Sequence, residues 1–164
     1  MKNNLNKRTL FVCRAALVAA FYVALTFLSR LFGLDSGAIQ IRFSELLCVL
    51  PIFMPAAIPG LAVGCLLSNI LVGACWLDII VGPIATLIGA FGTYTLRKIP
   101  WLAPMPAVLS NALIIPFVLA YGYGLEDAIP LMMLTVGAGE LISVYVLGMP
   151  FYYGTRKFFS RIVM

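Results

Sequence analysis

The sequence predicts an all-α integral membrane protein of six transmembrane helices with both termini in the cytoplasm. Three observations carry that expectation. Hydrophobic residues make up 63% of the chain, charged residues only 10%, and the mean hydropathy is +1.07, whereas an ordinary soluble domain is roughly a quarter charged. Six acidic and eleven basic side chains among 164 residues cannot clothe a soluble surface without leaving large apolar patches exposed. The charges are also clustered, so that uncharged stretches lie between them at about the 20 residues a helix needs to cross roughly 30 Å of hydrocarbon.

The first span, about residues 10–31, is apolar from Leu10 to Leu28 apart from Arg14. Its length, that charge and the lack of a small-residue cleavage site make it a retained helix rather than a removed signal. No charge then occurs from Leu46 to Leu77, about 32 residues that would form one helix of ~48 Å, too long for a single crossing. Pro51, Pro55 and Pro59 lie in VLPIFMPAAIPG, and proline ends or kinks a helix. Dividing the stretch there predicts a short second span over about 44–54 and a full third one over about 57–76. The fourth, fifth and sixth spans are expected over about 79–97, 104–122 and 128–153, and together the six form one membrane domain over 1–164.

Orientation follows from the cations. With six crossings both termini share a side, which receives Lys2, Lys7, Arg8, Arg14, Arg97, Lys98, Arg156, Lys157 and Arg161. Of the eleven cations only Arg30 and Arg42 fall on the other side, with Asp35, Glu45, Asp78, Glu126 and Asp127. Positive residues concentrate on the cytoplasmic side, so the termini are cytoplasmic. The net charge of +5 then reports topology and not nucleic-acid binding, because no basic face forms.

Several chemistries are disfavoured. Cys13, Cys48, Cys65 and Cys75 stand singly without a C-x-x-C, and no histidine is present to complete a metal site, so the cysteines read as small packing residues and no metal or cofactor is expected. No G-x-x-x-x-G-K-[ST] loop is present to hold ATP phosphates, and the commonest general base is missing. The chain is therefore not expected to be an enzyme, and any ATP that powers it must be bound by another chain.

The sixth span holds one carboxylate, Glu140, in MMLTVGAGELISVYVLGMP. It lies about 12 residues into the span, ~18 Å below the outer surface. A charge at that depth costs ~2.5–3.5 kcal/mol on insertion scales, so it must face protein or a cavity. Counted the same way, Asn111 on the fifth span lies at ~16 Å and Asn69 on the third at ~10 Å, and the three side chains are expected to share a layer. Glu140 reads as a ligand-recognition group, with a protonated or arginine-paired glutamate joining two helices as the alternative. Asn69 and Asn111 could equally be interhelical hydrogen bonds. Above them LDSGAIQIRF, Leu34 to Phe43, is too rich in Gly and polar residues for a span and is expected to form a lid carrying Gln40 and Arg42. Ser44 reads as an N-cap and Glu45 as a first-turn acid, either of which could also touch the ligand, and Arg42 with Glu45 could close the lid. On the first span Ala16, Ala20 and Ala24 repeat at small-x-x-x-small spacing, a smooth face for internal packing or for docking on a partner membrane protein.

The segments AIQIRFSELLCVLP, PAAIPGLAVGCLLSN, DIIVGPIATLIGAFGTYTLRK, WLAPMPAVLSNALI and TVGAGELISVYVLGMP resemble the QueT family, substrate-binding (S) subunits of energy-coupling-factor (ECF) transporters, over roughly residues 10–158. The resemblance implies a six-helix substrate-specificity subunit with a loop over its pocket. It implies as partners one transmembrane coupling protein and two ATPase subunits, docked through the face of Ala16, Ala20 and Ala24, and as substrate a queuosine precursor of the 7-deazaguanine class. A guanine-like edge presents two parallel donors, which the two oxygens of Glu140 would accept. Asn69 or Asn111 would meet the carbonyl side, and Trp76, Tyr121 or Phe43 would stack on the ring. The other readings are an S subunit for another vitamin, a self-sufficient secondary transporter or channel, and an intramembrane enzyme, which the separated carboxylates disfavour.

Overall fold

The computed structural model describes residues 2–34 and 40–163, with side chains over 6–34 and 40–159. Among the described residues it is entirely helical: α1 Lys2–Leu31, a 3-10 helix Phe43–Ile52, α2 Ala57–Leu71, α3 Trp76–Thr95, α4 Met105–Gly122, α5 Ile129–Leu141, a π-helical segment Ile142–Gly148 and α6 Met149–Val163. Four runs are long and apolar enough to cross a bilayer: Asn6–Leu31, Trp76–Thr95, Met105–Gly122 and Ile129–Phe159, the last formed by α5, the π segment and α6 in continuity. The 3-10 helix and α2 are shorter apolar elements. Neither reaches the length of a full span, α2 with its 15 residues rising only ~22 Å.

Successive helices pack side by side from α1 to α5, and the 3-10 helix sits among them against α1, α3 and the π segment. Glycine sets the closest approach. A Cβ on Gly60 would lie 2.7 Å from the Ala15 carbonyl oxygen, and one on Gly64 would lie 2.7 Å from Tyr22 Cβ, so only a G-x-x-x-G helix can press this closely onto α1. The core beside that contact joins Tyr22, Leu47, Cys48, Leu61, Cys65 and Val144. Both buried cysteines in it are free.

Proline and glycine account for the ends and bends. Pro51 lies inside the 3-10 helix, where its missing N–H and its ring both oppose α geometry. The Pro150 ring would likewise crowd the carbonyl one turn earlier, and the wide π turn that precedes it relieves that clash. Gly33, Gly73 and Gly124 have φ of 68°, 70° and 68°, the left-handed conformation that stops a helix. They end α1, α2 and α4.

Three boundaries differ from the sequence expectation. The third helix stops at Leu71 and not at Trp76, because the Gly73 turn intervenes and Trp76 opens α3. The second element is a 3-10 helix and not an α-helix. Ser44 is not an N-cap: Arg42 holds that position without a side-chain cap bond, and Ser44 is buried in the first turn.

Candidate functional site

Two polar side chains of the interior meet, at the shared depth that residue counting suggested. Asn111 on α4 donates its amide to Glu140 Oε1 on α5 at 2.8 Å, and both residues are buried. Glu140 Oε2 is buried without a hydrogen-bond partner. Glu140 lines a small cavity of about 20 Å³ together with Gln40, Arg42, Glu45, Gly82 and Thr86, room for about one water.

A strap formed by residues 40–43 roofs this cavity. It is pinned on both sides: the Phe43 amide donates to Ser29 Oγ at 2.7 Å and the Arg42 amide to Ser143 Oγ at 3.1 Å. The Ile41 amide reaches the Leu34 carbonyl at 2.9 Å. Gly139 admits the strap, since a Cβ there would overlap the Gln40 carbonyl oxygen. Residues 40–43 of the segment expected as a lid thus lie against the cavity, and its residues 35–39 lie outside the described residues. Outside the strap opens a second cavity of about 560 Å³, lined among others by Arg30, Gln40, Arg42, Ser44, Asp78 and Tyr123. Gln40 and Arg42 border both cavities and separate them.

Glu45 is held by protein on both oxygens. The Tyr22 hydroxyl donates to Oε1 and the Cys48 thiol to Oε2 at 3.0 Å, so the carboxylate is positioned at the cavity wall by α1 and by its own helix. Arg42 shares the inner cavity with Glu45 and the outer one with Asp78. At the mouth, the Tyr123 hydroxyl donates to Asp78 Oδ2 at 3.2 Å. Burial, opposed by the Cys75 amide and reinforced by Asp78, pushes the Tyr123 phenol up to about 12, so it stays protonated and a donor.

Other expected site residues lie elsewhere. Asn69 does not join the layer of Glu140: it donates to the Asp78 carbonyl at 2.9 Å, tying α2 to α3 and bordering the outer cavity. Trp76 and Tyr121 are 68% and 74% exposed and line neither cavity, because their helix positions turn them outward. Phe43 is half-buried and packs edge-on against Phe32 at 6.4 Å. Sequence reasoning missed Asp78 and Thr86. The signal was the i, i+4, i+8 series Asp78, Gly82, Thr86, one stripe of α3 running from the outer cavity to the inner one. Ala16, Ala20 and Ala24 are exposed, while Val18, Ala19 and Tyr22 form the face that packs inward.

Apolar helices of spanning length around a polar interior mark a multi-pass membrane protein. The chain belongs to the QueT transporter family, whose model matches residues 12–157. Over 81 residues it is 38% identical to the queuosine precursor transporter QueT of Lactococcus lactis subsp. cremoris (strain MG1363), a match covering 49% of this chain and 47% of the relative. The matched segment thus spans about half of the curated relative. No solved structure matches the chain.

Proposed function

We propose that the chain is the substrate-specificity subunit of an ATP-driven ECF importer, binding a queuosine precursor of the 7-deazaguanine class from outside and delivering it inward with a coupling protein and two ATPase subunits. One observation carries the reading: a buried glutamate, fixed by Asn111 on one oxygen and unpartnered on the other, faces a cavity under a strap that opens outward. An ionised carboxylate offers two acceptors to the paired donors of a guanine-like edge. The Asn111 amide would share Oε1 and leave Oε2 for the ligand. Family membership and the name of the Lactococcus relative support the substrate class.

A cavity of about 20 Å³ is too small for a bicyclic base. Binding therefore requires the strap at 40–43 to lift and merge the two cavities, with Gln40 and Arg42 moving as its polar edge. We infer six crossings with cytoplasmic termini, the 3-10 helix and α2 being the two short ones. Irregular backbone is tolerated at membrane depth where protein surrounds it, and seven residues of the 3-10 helix, Ser44 and Glu45 among them, are buried. The exposed Ala16, Ala20 and Ala24 would form the docking face for the coupling protein.

The test is a calorimetric titration of the purified subunit with 7-deazaguanines against riboflavin, thiamin, biotin and folate. Binding confined to the 7-deazaguanines is expected, and selective binding of one of the vitamins would overturn the substrate assignment. Substrate uptake by proteoliposomes holding this chain alone would overturn the dependence on ATPase partners.

A further inference from the structure

The outer cavity holds a second carboxylate that the proposed contact at Glu140 does not use. Asp78 is 4% exposed, and while Oδ2 takes the Tyr123 hydroxyl, Oδ1 is buried with no partner. That oxygen reaches toward the inner cavity. A Cβ on Gly82, which lines the inner cavity, would lie 2.9 Å from Asp78 Oδ1 and 2.8 Å from Asn69 Nδ2. The bare backbone of Gly82 is therefore what keeps a side chain from coming between that oxygen and the inner cavity.

Electrostatics select the kind of group that fits there. Asp78 shares the outer cavity with Arg30 and Arg42, and Arg42 also borders Glu45 and Glu140 on the inner one. The ends of α1, α2 and α4 gather at the outer cavity, where Gly33, Gly73 and Leu125 line it, and a helix C-terminus favours a cation. Arg30 already answers one of them, its Nη1 donating to the Val72 carbonyl at 3.1 Å. The Asp78 oxygen that lacks a donor suits one more N–H group, which binds most strongly when it is charged.

We propose that Asp78 reads the side arm of the ligand and makes the site selective for a 7-deazaguanine whose arm carries a protonated amine. This rests on the placement of the guanine-like edge at Glu140. That edge lies at the opposite end of the bicycle from the arm at C7, so a ligand seated on Glu140 would point its arm up the stripe from Thr86 past Gly82 to Asp78. The ammonium would donate to Oδ1, with Tyr123 acting on Oδ2 as a positioning residue.

The experiment titrates wild type and Asp78→Asn with 7-aminomethyl-7-deazaguanine and with 7-cyano-7-deazaguanine, whose arm is neutral. The expected result is a loss of about thirtyfold or more for the aminomethyl compound on removing one member of a buried charge pair, with the affinity for the cyano compound nearly unchanged. An equal loss for both compounds, or no loss for either, overturns the assignment. Should Asp78→Asn fail to fold, Gly82→Ala keeps the carboxylate and sets a methyl between it and the ligand. It must lower the same affinity ratio, and a retained wild-type ratio overturns the assignment. Wild-type protein that binds neither compound would instead overturn the functional reading beneath.

Discussion

Among single residues, Glu140 and Glu45 show how two buried carboxylates can serve different ends. Glu45 has both oxygens engaged by Tyr22 and Cys48, whereas Glu140 has one engaged and one open. Glu140→Gln replaces an acceptor by a donor that faces the donors of the ligand, so binding should weaken by about 2–4 kcal/mol, as for a broken charge-assisted pair. Titration of a folded Glu140→Gln protein checks this, and wild-type affinity would remove Glu140 from the site. Tyr22→Phe acts differently. It leaves a buried oxygen of Glu45 without its donor, at a cost of about 1–3 kcal/mol, to be read as a lowered Tm in detergent with unchanged helix content. The common depth of Glu140 and Asn111 was legible from residue counts along two spans, because rise per residue converts sequence into depth. Counting gives depth but not rotation about the helix axis. For that reason Asn69 proved to bridge α2 and α3, Trp76 and Tyr121 proved to face outward, and Asp78 was read only as an acid at the end of a span.

At the scale of elements, the strap is held by hydroxyls and admitted by a glycine. Gly139→Ala would drive a methyl into the Gln40 carbonyl and displace residues 40–42 from the roof of the inner cavity. The expected outcome is faster ligand release in a protein of near-normal stability, measured by stopped-flow dissociation; an unchanged off-rate would show that the strap does not hold the ligand. The position of the break between the second and third elements was legible in Pro51, Pro55 and Pro59. The 3-10 character of the second element was not, since its apolar residues satisfy either geometry and the choice is made by the packing of α1, α3 and the π segment around it. The π segment itself leaves no hydrophobic signature at all. Its cause, Pro150, had been absorbed into a long uncharged run.

For the molecule as a whole, membrane residence and helical class were legible because composition alone decides the solvent, and the four long spans fall where the charges leave room for them. The α1 helix is the least covered of these, with 17% of its spanning window buried, and its outward face includes Ala16, Ala20 and Ala24. A large side chain there should spare the ligand pocket and spoil assembly. Ala20→Trp is expected to bind ligand as wild type does, yet to fail to co-purify with the coupling protein and ATPases proposed above. Normal complex formation would move the docking face elsewhere.

The hydroxyl of Ser143 has a mechanical consequence. It accepts the amide of Arg42 from the strap and donates at 2.8 Å to the Gly139 carbonyl, at the point where α5 widens into π pitch. One rivet thus fastens the roof to the loosest turn of the final rod. Lifting the roof tugs on that turn, and if the turn tightened to α pitch by passing one residue along, everything beyond it would swivel by about 100°. A disturbance of the strap thereby has a built-in lever arm to the basic residues of α6.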